Sequence, residues 1–231
     1  MVALGGGTMP TALVTGASAG LGRALAAALV SRQWTVVGDG RDAAALSAAA
    51  EEIGFTAIPG DVADPRHRAS LAGACPSLDL LVNNASSLGV SPLPLLGSYP
   101  LAELENVYRV NVFAPLALTQ LLLPALTASR GTLIDISSDA AVEPYEGWGG
   151  YGSAKAALDQ LTAVLGAENP DLAVYAVDPG DLRTAMHQRA FPGEDISDRP
   201  LPSSVVPGFL RLLDERPPSG RYRAADLLVT A

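Results

Sequence analysis

Tyr151-Gly-Ser-Ala-Lys155 sets a phenol and an ammonium four residues apart. On a helix that spacing puts both on one face. A free tyrosine has a pKa of about 10 and is a poor base at neutral pH. A nearby ammonium favours the phenolate, so the pair can pass a proton to and from a substrate oxygen. Lys155 is the one lysine among 15 basic residues; the other 14 are arginine. A compact ammonium with three donors can serve several acceptors from one point, a task a planar guanidinium fits poorly. The same spacing also occurs on ordinary surface helices, so the pair needs partners to carry meaning.

Four partners are present. Ile134-Asp-Ile-Ser-Ser138 reads as a strand ending in two serines, at the end of a parallel sheet where ligands bind. Asn83-Asn84-Ala85 ends another apolar run in the same way, and Asn111 lies inside an apolar helical stretch. Near the start, a strand pattern runs into Thr15-Gly16-Ala17-Ser18-Ala19-Gly20-Leu21-Gly22, and helical spacing follows at once. Glycines there let the backbone turn tightly and approach a phosphate, while the helix start supplies amide donors and a positive dipole end. Strand, glycine turn and helix together point to dinucleotide binding.

In this order the motifs resemble the short-chain dehydrogenase/reductase family. The matching pieces are TGASAGLG at 15–22, NNA at 83–85, Asn111, Ser138, YGSAK at 151–155 and PGDLRT at 179–184. The resemblance covers almost the whole chain and implies a single-domain α/β fold, a Rossmann-type doubly wound parallel sheet flanked by helices. It also implies the roles. Tyr151 would be the general acid/base. Lys155 would lower the tyrosine pKa and bond the nicotinamide ribose. Ser138, thirteen positions before the tyrosine, would polarise the carbonyl. Asn111 would hold a water linking Lys155 to solvent. Gly16, Ser18, Gly20, Leu21 and Gly22 would cradle the phosphates. Asp61 and Val62 would border the adenine, Asn83 and Ala85 the adenosine, and Pro179, Gly180 and Thr184 the nicotinamide. No metal site is implied.

The residues after the second strand leave the choice of cofactor open. If Gly40-Arg41-Asp42 aligns with the family's Gly-Arg-Asp pattern, the deciding position is glycine and Arg41 suits a 2′-phosphate, with Ser18 adding a hydroxyl. If the register slips by one, Asp39 holds the acidic position and selects NAD. The first register favours NADPH. Ala19, where the family often has a basic residue, weighs the other way.

Asn84-Ala-Ser-Ser-Leu-Gly89, Glu146-Gly-Trp148, Asp181-Leu-Arg-Thr-Ala-Met186 and Ser219-Gly220-Arg-Tyr222 look like the sepiapterin reductase branch, which reduces carbonyls on a pterin with NADPH. That branch anchors the pterin with an aspartate shortly after the last Ser-Gly; Ala224 stands in register here, with Asp226 two residues later. Ser86 stands where many family members have glycine. Leu88, Val90, Trp148, Met186 and Phe191 are candidates for an apolar substrate wall, and Asp139, Glu143 and Asp181 for an acidic rim. His187 reads as a surface helix residue. The activity implied is NADPH-dependent reduction of a small ketone, diketone or pterin-like compound, or oxidation of the alcohol. The alternative is a regulatory or scaffold protein that binds the cofactor without turnover; the intact Asn111, Ser138, Tyr151 and Lys155 set argues against it.

These residues need strands to aim them and helices to carry them. Apolar runs at 11–15, 34–37, 55–58, 79–82, 133–136 and 172–177 read as strands. Helical patterns follow Leu21 and cover 42–52, 65–74, 101–126, 152–166 and 204–214. This alternation predicts a parallel sheet covered on both faces. Residues 1–10 read as a mobile lead-in without the basic start of a signal peptide, 11–231 as one catalytic domain, and 183–203 as a loop over the site. The 231-residue length suits one core. A formal charge of −9 argues against nucleic acid or anionic membrane as partner. The uncharged stretches 80–102 and 110–129 are broken by Asn, Gly and Pro and are poor membrane spans. A single cysteine, Cys75, allows no internal disulfide and fits a reducing, cytoplasmic setting. Association into a homodimer or homotetramer is expected through the helices near 101–126 and 152–166.

Overall fold

The computed structural model describes residues 9–228, so the lead-in expected over 1–10 lies almost wholly outside the described residues. Seven parallel strands form one sheet in the order β3-β2-β1-β4-β5-β6-β7. They are β1 (Thr11–Val14), β2 (Thr35–Gly40), β3 (Thr56–Pro59), β4 (Leu80–Asn83), β5 (Thr132–Ile136), β6 (Ala173–Asp178) and β7 (Gly220–Arg223). Period-two alternation sorts the strand side chains onto two faces. Ala12, Val14, Leu80, Val82, Ile134, Ile136, Tyr175 and Val177 enter one core with Leu21, Leu25 and Leu29 of α1 (Gly20–Ser31) and Phe209 and Leu212 of α8 (Val206–Glu215). Leu13, Leu81, Leu133 and Val174 enter the other, against Leu71 of α3 (Pro65–Ala74) and Leu118, Leu122 and Leu126 of α5 (Ala114–Ser129).

The strand order reverses between β1 and β4, which opens a crevice at the carboxyl ends of the strands. Every candidate motif lies at that end. The helices after β2 and β3 are closed by aspartates: Asp42 accepts from Ala45 N at the start of α2 (Ala43–Ile53), and Asp64 accepts from Arg66 N at the start of α3. α1 begins differently. Its N-cap is Ala19, which offers no side-chain bond, and no acid lies in the first turn. Its leading amides are therefore left for something else.

Two elements differ from the sequence reading. The single helix expected over 101–126 is α4 (Leu101–Tyr108), a π-turn (Arg109–Phe113) and α5. The π-turn contains Asn111, whose side chain is drawn toward the 86–87 loop; such wide turns recur at functional sites. Leu101–Ser129 is long and apolar enough to cross a membrane, but it lays Leu118, Leu122 and Leu126 on the sheet as a core helix. β7 was not expected. It alternates exposed Arg221 and Arg223 with half-buried Tyr222 on the sheet edge, and so lacks an apolar run.

Candidate active site

Tyr151 and Lys155 lie on α6 (Gly149–Glu168), one turn apart and both buried. The Lys155 ammonium sits 5.6 Å from the Tyr151 ring centroid. It donates to the Ile136 carbonyl at 2.6 Å, which ties the helix to the end of β5. Burial pulls the Lys155 pKa down to about 8, against the carboxylates of Asp135 and Asp159. Burial also pushes the Tyr151 phenol well above its ordinary value, and the carboxylates of Asp178 and Asp139 push the same way; the nearby hydroxyls of Ser86 and Ser138 oppose the rise. Desolvation is the largest influence on the phenol, and the ammonium is bonded to Ile136 O.

Ser138 caps the turn Asp139–Ala141. Its hydroxyl donates to Asp139 Oδ1 at 3.0 Å and accepts from Ala140 N at 3.2 Å. Asp139 also accepts from the Tyr145 hydroxyl at 3.0 Å. Ser138 and Tyr151 face a cavity of about 1200 Å³ that runs on to the start of α1. Gly16, Gly20, Leu21, Ala85, Leu88, Trp148, Lys155, Pro179, Gly180, Thr184 and Met186 also line it. Trp148 meets Tyr151 edge-on at 5.8 Å and Phe191 at 6.0 Å, giving the apolar wall expected near the hydroxyls. Asp139 and Asp181 reach the lining, whereas Glu143 does not. The segment after Pro179 supplies much of the opposite wall, including α7 (Ala185–Ala190), capped by the Thr184 hydroxyl.

The glycine loop is held by contacts that the motif does not show. Thr15 Oγ1 accepts from the amides of Asn84 and Ala85, both at 2.9 Å. Asn84 Nδ2 donates to Thr15 O at 2.8 Å. Gly22 faces no cavity; a Cβ there would lie 2.3 Å from Gly16 O. Its role is to let α1 sit against the loop. Among described residues the loop, the uncapped start of α1 and the open cavity beside them fit the diphosphate of a dinucleotide.

Several expected residues lie elsewhere. Asn83 points away from the cavity, because it shares the face of Leu81; its amide donates to Thr119 Oγ1 and to Asp135 Oδ1 at 2.7 Å. Asn111 spends its side chain on the loop: Oδ1 accepts from Ser86 Oγ at 3.1 Å and Ser87 N at 2.8 Å, and Nδ2 donates to Ser87 O. The water-holding role expected of it is not one its side-chain oxygen is free to play. Asp61 accepts from Ala63 N, and Val62 O accepts from Arg68, both beyond the cavity lining. Ala224 is buried under α8 and Asp226 is exposed, so neither offers an anchoring acid. His187, expected on a surface, has a side chain only 9% exposed and stacks on Phe191 at 4.9 Å.

Asp39 resolves the two registers after β2. It is 1% exposed, accepts from Gly16 N at 2.7 Å, and bonds His67 Nε2 at 2.9 Å. A carboxylate so engaged does not face a ribose, which overturns the slipped register. Gly40 lies beside Ser18, with a built Cβ 3.1 Å from Ser18 Oγ, and Arg41 is exposed next to it. Sequence reasoning missed His67 and the buried Asp135 and Asp178. Asp178 accepts from Gly180 N at 2.9 Å, and burial raises the pKa of both acids. The available signal was a lone acid inside each apolar strand.

Comparison with known proteins agrees with this geometry. The family model described as short chain dehydrogenase matches residues 10–195. Serine 3-dehydrogenase of Agrobacterium fabrum is 35% identical over 183 residues, 75% of this chain and 72% of that protein. Sepiapterin reductase of Mus musculus is 36% identical over 199 residues, 77% and 76% of the two chains. A short chain dehydrogenase of Shigella flexneri, solved with NADP, superposes with a TM-score of 0.85 at 31% identity, over 94% of this chain and 97% of the other. The chain belongs to the short-chain dehydrogenase/reductase family and is an oxidoreductase of that family.

Proposed function

We propose that the protein is an NADPH-dependent reductase of small carbonyl compounds, able to run in reverse as an alcohol dehydrogenase. One observation carries this reading: Tyr151, Ser138 and Lys155 converge on a cavity that continues to the uncapped start of α1. When bound, the dinucleotide supplies or accepts the hydride. The chain's residues do the rest. Tyr151 gives its phenolic proton to the substrate oxygen as charge develops there. Ser138 orients that oxygen by hydrogen bonding. Lys155 leaves Ile136 O to bond the nicotinamide ribose and support the phenolate. Trp148, Leu88, Met186 and Phe191 exclude water and fix the substrate next to Tyr151.

NADPH is favoured over NADH by Arg41, Ser18 and the glycine at position 40, and by the engagement of Asp39 elsewhere. The Shigella flexneri relative was solved with NADP, which points the same way. Sepiapterin reductases and serine 3-dehydrogenase among the relatives span ketone and alcohol substrates, and the apolar wall beside acidic Asp139 and Asp181 suits a small polar carbonyl. Diketones, quinones and pterins, assayed with NADPH and NADH, test this. The expected result is a KM at least about tenfold lower for NADPH, lost in Arg41→Ala, since one charged contact is worth about that much. An NADH preference in the wild type overturns it.

This reading includes self-association. Phe113 (59% exposed) and Leu121 (50%) on the outer side of the helix pair, and Val164 (41%) on α6, are apolar surface suited to a second copy. A dimer or tetramer by light scattering is expected; a monomer contradicts it. A cytoplasmic setting fits the single buried Cys75 thiol.

A further inference from the structure

Ser86 lies where the sequence departs from the family's glycine, and its hydroxyl sits between two site residues. It shares the cavity wall with the Tyr151 phenol, close enough to favour its charged form, and donates to Asn111 Oδ1 at 3.1 Å on the other side. Asn111 is buried in the π-turn, and the Ser87 amide at 2.8 Å fixes its Oδ1. That second donor keeps the oxygen satisfied if Ser86 turns away. Ser86 also lines the cavity, so its hydroxyl has room to rotate.

We propose that Ser86 is a further catalytic residue: its hydroxyl swings from Asn111 to the Tyr151 oxygen when the phenol gives up its proton. In reduction, the Tyr151 O–H bond breaks and the proton goes to the substrate oxygen. Ser86 then donates to the phenolate left behind, with no covalent change of its own. In oxidation the order reverses, and Ser86 returns to Asn111 as the phenol is remade.

This chain needs that second hydroxyl. Ser138, the other hydroxyl on the phenol, already donates to Asp139 Oδ1. The charged and titratable groups facing Tyr151 are Asp139 from the turn after β5, Asp178 at the end of β6, and Lys155 on α6. Arg221 of β7 lies 3.5 Å from Asp178, and Asp181 and His187 line the same cavity. Two of these carboxylates oppose the phenolate, burial opposes it further, and Lys155 is held by Ile136 O. A donor from Ser86 offsets part of that penalty.

The inference rests on Tyr151 acting as acid and base, and the test separates the two. Wild type, Ser86→Gly, Ser86→Ala, Ser86→Thr and Tyr151→Phe are compared in alcohol oxidation with NADP⁺ between pH 6 and 10. The substrate is a small hydroxyketone, the alcohol formed by reducing a diketone. A hydrogen bond to a charged group is worth about one pH unit, or about tenfold. The Gly and Ala variants should lose about tenfold in oxidation kcat at pH 7 with KM within about twofold. Their pH–rate profiles should move up by about one unit, and Thr should restore both rate and profile. Superimposable wild-type, Gly and Ala profiles beside an inactive Tyr151→Phe overturn the Ser86 role alone. An active Tyr151→Phe overturns both readings.

Discussion

The loop after β1 and the turn after β5 face one cavity, yet they are built from different material. The first is backbone. Gly16 and Gly22 pack so closely on Asn84 and on each other that no side chain fits, and a threonine, an asparagine and an aspartate clamp the loop from behind. The second is side chain. Ser138, Tyr151 and Lys155 reach the cavity, and each is aimed by a further contact: Asp139 for Ser138, Ser86 for Tyr151, Ile136 O for Lys155. The first region tolerates no added atom, while the second depends on donors held at fixed points. Binding and chemistry should therefore fail separately.

Adding one methyl to the backbone region should have the largest effect on cofactor binding. In Gly22→Ala the new Cβ would lie 2.3 Å from Gly16 O, a backbone atom that cannot give way cheaply. Overpacking of this kind costs about 1–3 kcal/mol. A fall in melting temperature and at least about a 100-fold loss of NADPH affinity by fluorescence titration are expected. Unchanged affinity would erase the distinction between the regions.

Lys155→Arg probes the side-chain region while keeping the charge. A guanidinium cannot contact Ile136 O, a ribose and the phenol from one compact centre. Steady-state kinetics should show kcat down about 100-fold, in the range of one lost acid–base contribution. Wild-type kcat would mean that charge alone matters at this position.

Asp39→Ala should give the smallest effect and the sharpest contrast. It removes the acceptor for Gly16 N and the partner of buried His67. NADPH binding should weaken about tenfold, with kcat at saturating cofactor unchanged. A fall in kcat without a change in affinity would place Asp39 with the chemistry instead.

Much of this arrangement was legible in the sequence, for a physical reason. Apolar β-branched runs bury on both faces of a parallel sheet, so β1, β4, β5 and β6 stood out, and the glycine turn, Ser138, Tyr151 and Lys155 followed at their ends. Features set by face or by long-range pairing were not legible. Asn83 belongs to a motif, but strand parity turns its amide into the core toward Asp135. Asp39 reads as a ribose contact until its bonds to Gly16 and His67 are seen. The π-turn at Asn111 and the arginine-rich edge strand β7 leave no periodic signal. The direction of the Tyr151 shift depends on burial among residues far apart in the chain, such as Leu88, Trp148 and Ala190, which no local spacing encodes.

The central claim is that the phenol of Tyr151 is the proton donor in a site whose cofactor cradle is independent of it. Turnover and NADPH binding measured on the same preparation of Tyr151→Phe test it most directly. The account predicts a loss of at least about 1,000-fold in kcat with NADPH affinity within about threefold of wild type. Turnover near the wild-type rate would contradict it.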